Sequence, residues 1–70
     1  MQKFIELVAE VLEVDSETIS METVFRDMDE FSSLVGYSLI VMMEDEYGVK
    51  VSVDEFIKCN TIQDLYNKCV

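Results

Sequence analysis

Histidine and proline are both absent from this chain, and glycine occurs only twice. Without histidine, the commonest general base and the commonest neutral metal ligand are missing. A serine nucleophile needs such a base and a preorganised oxyanion hole, so the serines here do not read as a hydrolytic site, and no independent enzyme is expected. The lack of proline and the scarcity of glycine suit a helical bundle better than a sheet built on tight turns. Bases are few, five against fifteen acids, for a formal charge of −10. That surface repels phosphate backbones and anionic lipid, which argues against nucleic acid and membrane insertion. It favours steered docking on basic protein surfaces, or it serves solubility alone. Cysteine occurs twice, at Cys59 and Cys69, with no CxxC pairing. Both positions are apolar and helical in pattern, so they read as buried free thiols rather than a disulfide or metal ligands. No carboxylate spacing matches an EF-hand loop, and no metal site is expected. No apolar run approaches a membrane span and nothing at the start reads as a signal peptide, so a cytoplasmic monomer is the expectation.

Half of the residues are apolar, too many for a disordered chain, and the length suits one small domain over residues 1–70 with a modest core. Its organising stretch runs from Phe31 to Val49: a serine pair, a long apolar segment, then acids, Tyr47 and Gly48. At about 100° per residue this segment carries two apolar lines. Leu34, Tyr37 and Val41 form one; Leu39, Met43 and Tyr47 form the other, with Gly36 and Ile40 beside it. A helix packed on a core by one face alone is polar on the other. The second apolar line, flanked by Glu44 and Asp45, therefore predicts a partner-facing surface at Leu34, Tyr37 and Val41.

The rest of the chain reads as helices around that segment. Helix 1 is predicted over Gln2–Glu13, burying Phe4, Ile5, Leu7, Val8, Val11 and Leu12. Val14–Ser32 is a long acidic loop, unusual beyond about 15 residues unless anchored; Ile19, Val24, Phe25, Met28 and Phe31 are its expected anchors. Helix 2 covers Ser33–Tyr47, with Ser32 as N-cap and Gly48 as its stop. Ser52 followed by Glu55 is a capping-box pattern opening a short helix over Val53–Cys59. Thr61 and Asp64 form a related cap for the last helix, whose Ile62, Leu65, Tyr66 and Cys69 recur at i, i+3, i+4 and i+7. The expected fold is all-α: three main helices, one short one, and a long loop between helices 1 and 2.

A serine at the first turn of a helix sits where backbone N–H groups and the helix dipole favour an attached anion. From physics alone, Ser33 is either a plain helix-start serine or an acceptor modified by another enzyme. The order of motifs adds to this. Phe25-Arg26-Asp27-Met28, then Ser32-Ser33-Leu34, then Glu44-Asp45-Glu46-Tyr47-Gly48-Val49, then Asn60-Thr61-Ile62-Gln63-Asp64-Leu65 together resemble the acyl carrier protein family across essentially the whole chain. The resemblance implies a four-helix acyl-carrier bundle with 4′-phosphopantetheine on Ser33, attached by a phosphopantetheinyl transferase. It also implies an acyl or aminoacyl thioester presented to enzymes of fatty-acid or specialised-metabolite synthesis. It implies partner docking along Leu34, Tyr37 and Val41, with Glu44 and Asp45 nearby, and a possible acyl-cavity lining at Met43, Phe56 and Cys59. The family's Asp before the serine is Ser32 here; Ser33 is the position that keeps the distances to Leu34 and Tyr47. The front of helix 2 also has fewer acids than many members, which points to a specialised carrier. The alternative reading is a carrier-like acidic docking module that is never modified.

Overall fold

Why the chain turns where it does is written mainly in how each helix end satisfies its backbone. The computed structural model describes residues 2–70; Met1, which the single-domain expectation includes, lies outside them. Four helices follow in order: α1 Gln2–Leu12, α2 Ser33–Tyr47, α3 Val53–Ile57 and α4 Ile62–Cys69. Single 3₁₀ turns at Ser16–Thr18 and Phe25–Asp27 interrupt the long loop. Among the described residues there is no strand, only an isolated bridge between Val24 and Thr61, and no helix is long and apolar enough to cross a membrane.

α1 buries Phe4, Val8 and Leu12 of the predicted stripe together with Ala9, which the stripe did not include, while the predicted Ile5, Leu7 and Val11 are only half-buried at its edges. It ends one residue before the predicted Glu13. There the Val14 N–H donates to the Ala9 carbonyl (3.0 Å) and the Glu13 N–H to the Glu10 carbonyl (3.2 Å). That pair of bonds is a Schellman stop, which asks for a left-handed residue, usually glycine. Here Glu13 takes it at φ 61°. A left-handed conformation costs an L-residue about 1–2 kcal/mol. Glycine's extra freedom in the unfolded chain offsets roughly 0.4–1 kcal/mol of that. Glu13→Gly is therefore expected to stabilise the fold by roughly 0.5–1 kcal/mol, read as a higher midpoint in urea; a lower midpoint would contradict the account.

The loop between α1 and α2 is held by the anchors its apolar residues suggested. Ile19 and Phe25 are buried, and Met28 and Phe31 pack on the core from partly buried positions. Val24 does less, remaining 39% exposed. Its contribution is through the backbone, in the bridge to Thr61.

This backbone contact completes the start of α4. Four N–H groups at a helix start lack intrahelical partners. In α4 the Ile62 N–H donates to the Thr23 carbonyl (3.1 Å) and the Gln63 N–H to the Met21 carbonyl (2.8 Å). The Asp64 N–H donates to the Thr61 hydroxyl at 3.1 Å, and the Asp64 carboxylate accepts from Asn60 and Thr61 N–H at 3.0 and 3.1 Å. Those backbone donors hold the Asp64 carboxyl below the usual carboxylate range. α3 opens on the matching Ser52–Glu55 box. It ends at Ile57, two residues short of the predicted Cys59, because its last turn tightens: the Lys58 N–H reaches the Glu55 carbonyl and the Cys59 N–H the Phe56 carbonyl.

The core lies between these elements. Phe4 joins three helices, its ring packing edge-on against Tyr47 of α2 (5.7 Å) and Tyr66 of α4 (5.3 Å). Leu39 and Met43 of α2 and Ile62 and Leu65 of α4 are fully buried around it. Both cysteines are free thiols, Cys59 buried and Cys69 half-buried.

Candidate functional site

The serine pair divides two roles between neighbouring residues. Ser32 is extended, at φ −148° and ψ 172°, and its hydroxyl accepts from the Val35 N–H at 3.3 Å. It is the N-cap, as its place before an apolar helix suggested. Ser33 is the first residue of α2 and exposed, and its hydroxyl is not used in the cap.

Beside Ser33 opens a cleft of about 300 Å³, lined by Arg26 and Phe31 from the loop, Ser33, Gly36, Tyr37 and Ile40 from α2, and Val53, Phe56 and Ile57 from α3. Its floor is aromatic. Phe31 and Phe56 stack with centroids 6.3 Å apart and planes 22° from parallel, and Phe25 packs against both at 5.3 and 5.6 Å. Gly36 allows this approach: a Cβ there would lie 3.1 Å from the Phe56 ring and 3.2 Å from the Phe31 ring. The glycine thus gives up about 1 kcal/mol of helix propensity so that α2 can lie directly on the two rings.

Arg26 lines the same cleft. Its Nε–H donates to the Cys59 carbonyl at 2.6 Å and its Nη2–H to the Phe56 carbonyl. Its guanidinium carbon lies 5.3, 5.9 and 5.1 Å from the centroids of Phe25, Phe31 and Phe56. Cation–π attraction and two carbonyls at the end of α3 hold the same group, tying the loop to α3.

On the outer face of α2, Leu34 is 76%, Tyr37 63% and Val41 41% exposed, whereas Leu39 and Met43 are fully buried. The two lines of the helical wheel thus separate as outward and inward. Glu44 and Asp45 are exposed one turn further on. Val53 and Ile57 of α3, at 59% and 60%, continue the apolar rim across the cleft. The three residues suggested as cavity lining fall in different places. Phe56 lines this cleft; Met43 and Cys59 are buried and are not among its lining residues. The Cys59 Sγ donates to the Glu55 carbonyl at 3.5 Å, and burial pushes its pKa up. A protonated, buried thiol is a packing group and not a nucleophile.

Sequence reasoning passed over Arg26, Phe31, Val53 and Ile57 as site residues. Phe31 was legible as a loop anchor, and Arg26 stands out as the chain's only arginine. Their convergence with Phe56, some thirty positions away in the chain (Arg26 to Phe56 spans 30), has no local signature.

A family model described as a phosphopantetheine attachment site matches residues 2–69. An acyl carrier protein of Rickettsia canadensis is 36% identical over 64 residues, covering 91% of this chain and 74% of that protein. One from Thermosynechococcus vestitus is 34% identical over 65 residues, 93% of this chain and 80% of its own length. A third, from Treponema denticola, is 28% identical over 65 residues, with 93% and 83% covered.

Proposed function

The chain belongs to the acyl carrier family, and we propose that Ser33 is the residue to which its 4′-phosphopantetheine is attached. Membership makes the protein a carrier rather than a catalyst, served by a phosphopantetheinyl transferase and by acyl-handling enzymes. The observation that carries the assignment to Ser33 is the division of roles in the serine pair. Ser32 is occupied as a cap, while Ser33 is exposed at the mouth of a cleft on the first turn of α2.

The residues fit such a group. A phosphodiester on Ser33 would lie at the positive end of a fifteen-residue helix, where an anion is favoured. Apolar side chains of Phe31, Tyr37, Ile40, Val53 and Ile57 line the adjoining cleft and suit the arm or the first carbons of its cargo. When bound, the group supplies a flexible thiol that holds an acyl chain as a thioester. The protein's own residues orient the arm and present the complex to partners. Burial raises the pKa of the Cys59 and Cys69 thiols, which lowers the thiolate fraction of both.

The test is intact mass before and after incubation with coenzyme A and a broad-specificity phosphopantetheinyl transferase. A gain of one phosphopantetheine is expected. No gain with several transferases would move the reading to the unmodified acidic docking module, which the replacement of the family's Asp by Ser32 favours.

For docking we infer that Leu34, Tyr37 and Val41 form the apolar contact and Glu44 and Asp45 steer basic partner surfaces toward it. The cargo, acyl or aminoacyl, belongs to fatty-acid or specialised-metabolite synthesis, and the sparse acids at the front of α2 favour the specialised side. Tyr37→Ala and Val41→Ala are expected to change stability by no more than about 0.5 kcal/mol. Each should lower a partner's kcat/KM roughly tenfold, as for an interface anchor worth about 1.4 kcal/mol. Unfolding of either variant would contradict the outward assignment.

A further inference from the structure

We propose that Arg26 is an anion-holding residue of the cleft beside Ser33, pairing there with an oxyanion that the arm on that serine presents. The inference rests on Ser33 as the attachment residue and adds what receives the attached group. The chain has fifteen acids and a single arginine. Yet the one ion pair among the described residues joins Lys68 to Glu55, so the guanidinium has no carboxylate partner. It is half-buried, lines the same cleft as Ser33, and is held in place by the Phe56 and Cys59 carbonyls and three phenylalanine rings.

A guanidinium carries five N–H donors, and these two carbonyls engage only part of that fork. A planar fork already fixed in position loses little freedom on receiving a phosphate or carboxylate. In a half-buried cleft the attraction is also screened less than at the open surface. The other lining side chains are apolar apart from the hydroxyls of Ser33 and Tyr37, so Arg26 is the cleft's only cation. Two sources supply the same oxyanion chemistry. One is the phosphodiester on Ser33; the other is the terminal carboxylate of a dicarboxylic acyl group reaching back into the cleft.

The experiment compares melting midpoints of the unmodified, phosphopantetheinylated, acetyl-loaded and malonyl-loaded protein, at low and high salt, in wild type, Arg26→Lys and Arg26→Gln. Loading is verified by mass in each case. In wild type the anion-bearing form is expected to melt on the order of 4–8 °C above the unmodified one. The gain should shrink in Arg26→Lys, fall in Arg26→Gln to what the helix terminus alone gives the phosphodiester, and weaken with salt. If it is complete in the free-thiol form, the phosphodiester is the partner; if it needs malonyl and not acetyl, the carboxylate is.

Because Arg26 also ties the loop to α3, a wild-type measurement accompanies the variants. As the only arginine, its Nε–Hε NMR signal is unambiguous and should shift on modification or on malonyl loading. Equal gains in wild type and Arg26→Gln, or an Nε–Hε signal unmoved in every form, would overturn the proposal and leave Arg26 a structural tie. Absence of any mass gain would instead overturn the reading of Ser33 on which it rests.

Discussion

Ser33→Ala is expected to abolish phosphopantetheine attachment completely, with stability changed by no more than about 0.5 kcal/mol. The side chain is exposed and its hydroxyl makes no capping bond, so removing it deletes the acceptor and little else. Ser32→Ala should do the converse. It removes the hydroxyl that accepts from the Val35 N–H, a loss of about 1 kcal/mol, or roughly 4–8 °C in melting midpoint, while the mass gain persists. Intact mass and thermal melts on both variants check the pair together. Modification surviving in Ser33→Ala and lost in Ser32→Ala would reverse the two roles.

The second large effect is expected from Phe25→Ala. Phe25 is fully buried, lies against Phe31 and Phe56, and carries Arg26 over its ring. Truncating a buried phenylalanine costs about 3–5 kcal/mol. A domain of this size has a total stability of only about 3–10 kcal/mol. The variant should therefore be largely unfolded, or folded with the loop between α1 and α2 detached, and poorly modified in either state. Urea unfolding followed by circular dichroism gives the number. A loss under about 1 kcal/mol would show that the loop is held by its backbone contacts to α4 and not by its aromatic anchor.

How much of this was readable in the sequence differs by element, for physical reasons. α2 was legible to the residue, because a capping serine and a left-handed glycine bracket it, with Gly48 at φ 70°. The Ser52–Glu55 and Thr61–Asp64 boxes were legible for the same reason: a cap is local chemistry at fixed spacing. Helix ends decided elsewhere were not. Glu13 stops α1 in a conformation that its side chain does not advertise, and α3 stops short where its last turn tightens, beside an arginine from the loop that donates to the Phe56 and Cys59 carbonyls. The outward line of α2 followed from the 3.6-residue period, and Leu34, Tyr37 and Val41 are exposed as that period requires. The cleft did not follow from any period. It exists because Phe31, Gly36 and Phe56, from a loop and two helices, meet within contact distance. The separate burial of Met43 and Cys59 is likewise a matter of which side of that junction each falls on.

The bonds from Ile62 and Gln63 to the carbonyls of Thr23 and Met21 have a consequence for motion. These two amides belong to α4, but their acceptors belong to the loop. Any opening of the loop strips them of their partners without unwinding the helix behind them. Their hydrogen-exchange rates therefore record loop opening, whereas amides deeper in α4 record opening of the helix itself. A partner that pries the loop from the bundle to reach the cleft would show itself as faster deuterium uptake at these two adjacent residues.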